Sequence, residues 1–305
     1  MAGKEAKGLM PPSITVFKEN EDLDEEATRA HIRFLLENGA HGICTTGTTG
    51  ECAALSDEER RRVIEIIVDE VNGKAPVYAG TGHDSTRLTI ELSRYAEDVG
   101  ADGLLVISPY YRLPTEREIF AHFEKLSSAV NLPIMLYQNP WVTKVDIKPW
   151  QVAALFERGY ISSVKEAHGD AGRVHDILSL TNGKCRVLYG HDVDAFEAFC
   201  VGAEGWIAGG NNLIPKQCRE LYDLIVEKRE IEKARALWYK LLPLIQLLSY
   251  TRTGERSNWQ AMLKEGLEMR GRRAGRTRMP VLPLPDAERE RLRSILGDLG
   301  LLAEG

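Results

Sequence analysis

The sequence predicts a closed α/β barrel, the (β/α)8 or TIM-barrel fold, with additional C-terminal helices, and three observations carry that expectation. Short apolar runs recur at fairly even intervals along the 305 residues, helical patterns with start signals separate them, and no glycine-rich phosphate turn follows the first run. The runs lie at 13–16, 42–45, 77–79, 103–107, 134–137, 161–164, 187–189 and 206–208. Most are continuous rather than alternating, as parallel strands covered on both faces require. Strand then helix, repeated in this way, closes on itself. An open doubly wound sheet would have fewer strands and a G-x-G-x-x-G turn after its first, and none follows Val16.

The intervening segments read as helices. Ser56-Asp-Glu-Glu59 is a capping box ahead of Val63, Ile64, Ile67 and Val71, and Thr115-Glu-Arg-Glu118 is another ahead of Ile119, Phe120, Phe123 and Leu126. Ser85 can cap a helix whose apolar face carries Leu88, Leu92, Tyr95, Ala96 and Val99. Gly100 and Gly202 fall near helix ends, where a left-handed cap favours glycine. After the eighth run the pattern is helical over 215–250, then a loop over 254–258, then helical again. Pro280, Pro283 and Pro285 interrupt it before a last helix at 286–296. Residues 1–215 are expected to form the barrel. Residues 216–305 supply its last helix and an extension with too few apolar residues to stand alone, packed on the barrel or on a neighbouring subunit as one structural domain.

Composition narrows the function. Hydrophobic residues make up 43% and the net charge is −6. Nucleic acids and anionic membrane surfaces want clustered Lys and Arg, so neither is expected as a partner. The one basic cluster, 270–278, is broken by Gly271, Ala274, Gly275 and Thr277 and reads as a solvated loop between C-terminal helices. The five cysteines, Cys44, Cys52, Cys185, Cys200 and Cys218, are irregularly spaced without Cys-x-x-Cys, which fits free thiols in a reducing compartment. The charged start shows no signal-peptide pattern and no apolar run approaches membrane-spanning length, so the cytoplasm is the expected location. The seven histidines are scattered and no cluster has metal-ligand spacing.

In this fold catalytic groups stand at the C-terminal ends of strands. The second run ends in Thr45-Thr46-Gly47-Thr48-Thr49-Gly50-Glu51, whose glycines let backbone N–H groups converge into a carboxylate cradle. Alternatively it is a polar turn ahead of the Ser56 helix. The fourth run ends in Ser108-Pro109-Tyr110-Tyr111 and the fifth in Tyr137, followed by Gln138-Asn139-Pro140-Trp141. Each tyrosine is either core or a hydroxyl aimed into the mouth. The sixth is followed directly by Lys165 and Glu166. That lysine is either a strand end reaching for water or a functional amine. Burial disfavours an ammonium ion and leaves a free amine able to attack a ketone, and a nearby tyrosine could shuttle the protons.

Taken together, Gly47-Thr-Thr-Gly-Glu51, Ser108-Pro-Tyr-Tyr111, Pro133-Ile-Met-Leu-Tyr137 and Val164-Lys-Glu-Ala-His-Gly-Asp170 resemble the dihydrodipicolinate synthase / N-acetylneuraminate lyase superfamily of class I pyruvate lyases, over about 8–302. The resemblance implies that Lys165 forms a Schiff base with pyruvate or another small 2-oxo acid and that Tyr137 hands protons to and from the adduct. It implies that Thr48 relays between Tyr137 and Tyr111, which is often lent by a neighbouring subunit. Thr49 and Gly47 would hold the substrate carboxylate, and Ile207 would line the lysine pocket with its carbonyl. Neither pyridoxal nor a metal is implied, and a homotetramer built as a dimer of dimers is.

The sequence also departs from that pattern. The synthase subgroup carries an arginine that clamps the carboxylate of the aldehyde partner, and Val142 stands at its place. Loss of the guanidinium removes a bidentate clamp, which Lys144 could replace only as a point charge. Gln138 and Trp141 make that wall bulkier, while His168, His191, Asp192, Asn211 and Asn212 could bind distal hydroxyl or carbonyl groups. Alternatively, His191 and Asp192 merely start the next helix, with Asp192 as its N-cap. The expected function is therefore a Schiff-base lyase (aldolase, dehydratase or deaminase) for pyruvate or a hydroxylated 2-oxo acid. The alternatives are 4-hydroxy-tetrahydrodipicolinate synthase, joining pyruvate to aspartate semialdehyde, and a non-catalytic 2-oxo acid binding or regulatory protein.

Overall fold

The computed structural model describes residues 5–249 and 258–303. Eight parallel strands alternate with helices among them: β1 (Gly8–Leu9), α1 (Glu25–Glu37), β2 (Ile43–Thr45), α2 (Asp57–Val71), β3 (Val77–Gly80), α3 (Thr86–Asp98), β4 (Gly103–Ile107), α4 (Glu116–Ser127) and β5 (Ile134–Gln138). The chain continues through α5 (Pro140–Thr143), α6 (Pro149–Glu157), β6 (Ser163–Glu166), α7 (Gly172–Leu180), β7 (Arg186–Tyr189), α8 (Ala195–Cys200) and β8 (Gly205–Trp206). Then come α9 (Gly210–Leu213), α10 (Pro215–Tyr222), α11 (Ile231–Ser249), α12 (Trp259–Met269) and α13 (Asp286–Asp298). The order β1-β8-β7-β6-β5-β4-β3-β2 is closed by a parallel bridge between Pro12 and Cys44, where Ser13 N–H donates to the Cys44 carbonyl at 2.8 Å. The (β/α)8 barrel expected from the run pattern is the observed fold.

Side-chain parity builds two cores. Cys44, Tyr78, Leu105, Met135, Tyr137, Leu188 and Ile207 fill the barrel interior. Their strand neighbours Ile43, Val77, Leu104, Leu136, Val164, Val187 and Trp206 pack outward against the helices. Both parities are apolar, which is why the runs read as continuous. Ala261, Leu263, Leu267, Leu292 and Leu296 of the C-terminal helices join the outer cluster. Among the described residues no helix is long and apolar enough to cross a membrane.

The local signals act as their chemistry demands. Ser56 accepts from Glu59 N–H at 3.2 Å while its own N–H donates to the Glu59 carboxylate at 2.9 Å. Thr115 N–H donates to Glu118 at 2.7 Å, and Ser85 caps α3. Gly202 adopts φ +112 after α8.

Three strand boundaries need correction. The first lies at Gly8–Leu9 rather than 13–16. Pro11 and Pro12 cannot donate to a ladder, so pairing stops there. Residues 13–16 are instead a buried loop, where Thr15 donates to the Gly50 carbonyl at 2.8 Å. The sixth is Ser163–Glu166 rather than 161–164, because its pairing to β5 and β7 carries Lys165 and Glu166 into the ladder. The eighth is Gly205–Trp206, not 206–208.

The basic cluster is also more than a solvated loop. It does lie between α12 and α13, but Arg272 sits 4.2 Å over the Phe34 ring and Arg278 pairs with Glu59 at 2.5 Å while packing over Phe17. The guanidinium groups staple the C-terminal segment to the barrel. The loop read at 254–258 lies, but for Asn258, outside the described residues.

Candidate active site

Register places the central pair. Tyr137 and Lys165 are direct partners across β5 and β6, so both project from one face of adjacent strands into the barrel. Lys165 is 4% exposed, and its Nζ lies 3.7 Å from the centroid of the Tyr137 ring. The amine is held against an aromatic face, with no carboxylate among the described residues within ion-pair distance. Gly190, just after β7, makes this possible, since a Cβ there would come within 2.9 Å of Lys165 Cε.

The Tyr137 hydroxyl lies 3.4 Å from Thr48 Oγ1 and accepts from Asn139 Nδ2 at 2.9 Å. Thr48 and Thr49 occupy the turn after β2. Among the described residues no hydrogen bond engages the N–H groups of Thr48 or Thr49. That turn is braced from far away in sequence. Gln260 of α12 donates to the Thr48 carbonyl at 2.7 Å, and Lys264 pairs with Glu51 at 2.6 Å, their side chains 1% and 3% exposed. Burial pulls the Lys264 ammonium below its usual range, opposed by Glu51.

On the other side, Glu166 is fully buried behind Lys165. Its carboxylate accepts from His168 N–H at 3.0 Å and pairs with Arg173 Nε at 3.2 Å, and Arg173 also pairs with Asp146. Burial pushes the Glu166 carboxyl up to about 7, against the pull of Arg173.

A cavity of about 390 Å³ opens above Lys165. It is lined by Thr48, Thr49, Tyr137, Lys165, His191, Asp192 and Ile207 together with Asn139, Trp141 and Val142, and by Leu248, Trp259 and Leu263 from the C-terminal helices. The structure thus brings together most of the residues singled out in the sequence. His191 Nδ1 is 3.3 Å from Asp194, and the Asp192 carboxylate accepts from Gly210 N–H at 3.2 Å. Burial raises the Asp192 carboxyl above its usual range, and its Oδ1 has no hydrogen-bond partner among the described residues. Asp192 is not the N-cap of α8, a position Asp194 takes.

Other candidates stand elsewhere. Gln138 is turned away, donating to Asp146 at 2.8 Å and accepting from Ile147 N–H. Its strand parity is opposite to that of Tyr137, so it faces the helices. Asn211 is buried and donates to the Trp206 carbonyl at 3.0 Å. Gly47 lines a neighbouring cavity with Tyr110 and Met279. Tyr111 is 83% exposed, on a loop fixed by two 2.8 Å bonds from the Tyr110 and Tyr111 N–H groups to Asp84. Asn212 is a lock, bonded to His31 at 2.9 Å and to the Pro12 carbonyl at 3.0 Å. Lys144 donates to the Trp141 carbonyl at 3.2 Å and does not line the cavity. Sequence reasoning missed Asn139, Gly190, Trp259, Gln260 and Leu263. Asn139 and Gly190 at least directly follow strands. The α12 residues carry no local signal, because only the fold brings them back to the mouth.

A mouth at the C-terminal end of a (β/α)8 barrel, with a buried amine held against a tyrosine ring, defines a class of lysine-dependent lyases. The family model of the Dihydrodipicolinate synthetase family matches residues 5–299, and the chain belongs to that family. It is 40% identical over 297 residues to the 4-hydroxy-tetrahydrodipicolinate synthase of Methanocaldococcus jannaschii, covering 97% of this chain and 99% of that one. It is likewise 40% identical over 305 residues to the enzyme of the same name from Methanopyrus kandleri, covering 99% of both. A crystal structure of a dihydrodipicolinate synthase superposes with a TM-score of 0.90 at 40% identity, covering 97% of this chain and all (100%) of that one. The protein is accordingly a Schiff-base-forming lyase of this family.

Proposed function

We propose that Lys165 is the Schiff-base lysine and that the substrate is pyruvate or a hydroxylated 2-oxo acid. The observation that carries this reading is the Lys165–Tyr137 pair, with Nζ 3.7 Å from the ring centroid and the tyrosyl hydroxyl linked to Thr48. The amine adds to the C2 carbonyl, and loss of water gives a protonated imine. The imine draws electrons from C3, so a C3 proton leaves and an enamine forms. The enamine carbon attacks an aldehyde, whose oxygen takes up a proton, and water then releases the 4-hydroxy-2-oxo acid and the free lysine. The reverse sequence cleaves the same bond. Tyr137 is placed to carry these protons, with Thr48 and Asn139 orienting its hydroxyl. The unengaged N–H groups of Thr48 and Thr49 suit the substrate carboxylate. His191 and Asp192 suit hydroxyl or carbonyl groups farther out.

The exposed Tyr111 supports a homo-oligomer, a dimer of dimers, in which this ring completes the relay of a neighbouring copy. A cytoplasmic location goes with this reading. A second reading, 4-hydroxy-tetrahydrodipicolinate synthase with a relocated carboxylate anchor, is favoured by the names of the relatives. Coupled turnover with pyruvate and aspartate semialdehyde separates the two.

The test of the main reading is intact mass after sodium borohydride reduction with pyruvate, followed by peptide mapping. One reduced adduct on Lys165 is expected. An adduct on another lysine would overturn the assignment of Lys165, and none with any 2-oxo acid would overturn the reading and favour a non-catalytic 2-oxo acid binding protein.

A further inference from the structure

The half of the cavity away from the Thr48 turn is apolar and aromatic. Trp141 and Val142 come from α5, Leu248 from the end of α11, and Trp259 and Leu263 from α12. The Trp141 indole N–H donates to the His168 carbonyl at 2.6 Å, so its one polar atom is committed to the wall and the hydrocarbon ring is what it presents to the cavity. His168 is itself fixed through its N–H to buried Glu166, so the Trp141 ring is anchored to the same network that backs Lys165. Trp259 packs against the end of β8, where a Cβ on Gly209 would lie 3.4 Å from its ring.

The described residues of this half bring no fixed cation to a partner. Among the described residues no arginine, and no lysine besides Lys165, lines the cavity. Besides Lys165 and Tyr137, the ionisable side chains that line the cavity among the described residues are His191 and the buried Asp192, one of whose carboxyl oxygens is unpartnered.

We propose that the carbonyl partner joined to, or split from, the 2-oxo acid is an uncharged aldehyde with an aryl or similarly planar apolar group, held between Trp141, Val142 and Trp259. This rests on the proposed Schiff base at Lys165. In the synthetic direction the pyruvate enamine carbon bonds to the aryl aldehyde carbon, the aldehyde oxygen takes a proton, and hydrolysis of the imine frees a 4-aryl-4-hydroxy-2-oxo acid. A cavity of about 390 Å³ holds a pyruvate adduct and one ring together.

The test pairs two measurements on the full-length protein. Borohydride trapping with pyruvate first reports the Lys165 adduct. Pyruvate consumption and product mass are then followed with benzaldehyde, aspartate semialdehyde and glyceraldehyde at matched concentrations. The expected kcat/KM for benzaldehyde exceeds each of the others by about tenfold or more. Trp141→Ala should cut the ratio of benzaldehyde to aspartate semialdehyde kcat/KM about tenfold, chiefly through KM, and Val142→Arg should move the same ratio in the same direction by restoring a clamp for the carboxylate. An adduct on Lys165 together with equal or faster turnover of aspartate semialdehyde or glyceraldehyde would overturn the aryl proposal and leave the Schiff-base reading standing. Absence of any adduct would overturn both.

Discussion

The two walls of the mouth are built on opposite plans. On the β5–β6 side everything is local: Tyr137, Lys165, Glu166 and Arg173 come from consecutive strands and the helix after them, and Arg173 reaches back only 26 residues to the Ile147 carbonyl. On the β2 side the Thr48 turn is held by residues far along the chain, Gln260 at a separation of 212 and Arg278, whose N–H donates to Glu51, at 227. Both walls end in a buried ion pair, Glu166–Arg173 in one and Glu51–Lys264 in the other. The first wall is set by strand register, which the barrel enforces by itself. The second depends on the C-terminal helices docking, so those helices act as part of the site.

Lys165→Ala removes the proposed nucleophile and should lower kcat/KM by about three orders of magnitude or more. Full turnover in that variant would end the account of the local wall. Tyr137→Phe should cost about 10²–10⁴-fold in kcat, the range of a lost general acid–base group, while borohydride still traps a residual adduct.

Lys264→Met attacks the distant wall by leaving the Glu51 carboxylate buried without its partner. Breaking a buried pair on one side costs about 3–5 kcal/mol, so a marked drop in melting temperature is expected, with the double variant Lys264→Met, Glu51→Leu recovering much of it. A single variant as stable as the parent would mean that the C-terminal helices do not anchor the turn.

The two ion pairs also differ in pH response. Burial raises the Glu166 carboxyl from 4.5 to about 7, so the folded state holds that proton more tightly than the unfolded chain. The stability this contributes is present below about pH 4.5 and is lost as pH rises through about 7. Glu166→Gln should flatten that part of the curve, and parallel melting profiles of parent and variant from about pH 4.5 to 7 would contradict it. The smallest effect expected is for Gln260→Ala. Loss of one hydrogen bond to the Thr48 carbonyl, worth about 0.5–1.5 kcal/mol, should lower kcat about two- to tenfold, and Gln260→Glu should not restore it.

The same contrast explains what was legible in the sequence. Strand runs, capping boxes and the sequence neighbourhood of Lys165 and Tyr137 are local, and all but the first run fall on a strand, a helix start or the cavity. Gln138 was misplaced because its neighbour Tyr137 faces inward and period-two alternation sends it outward. Asn211 was misplaced because one turn of α9 folds its amide back onto Trp206. The first strand was misplaced because a buried loop and a buried strand share the same apolar composition, and only Pro11 and Pro12 marked the boundary. Trp259, Gln260 and Leu263 carry no pattern that separates a cavity wall from an ordinary helix face. Their part in the site follows only from where α12 packs.

Register sets Lys165 and Tyr137 side by side across β5 and β6, and their joint action is read from exchange of the pyruvate methyl protons in D₂O, followed by NMR without any aldehyde. Enzyme-dependent loss of the methyl signal is expected, reduced to the buffer rate in Lys165→Ala and slowed about a hundredfold or more in Tyr137→Phe. Exchange at the parental rate in Lys165→Ala would contradict it.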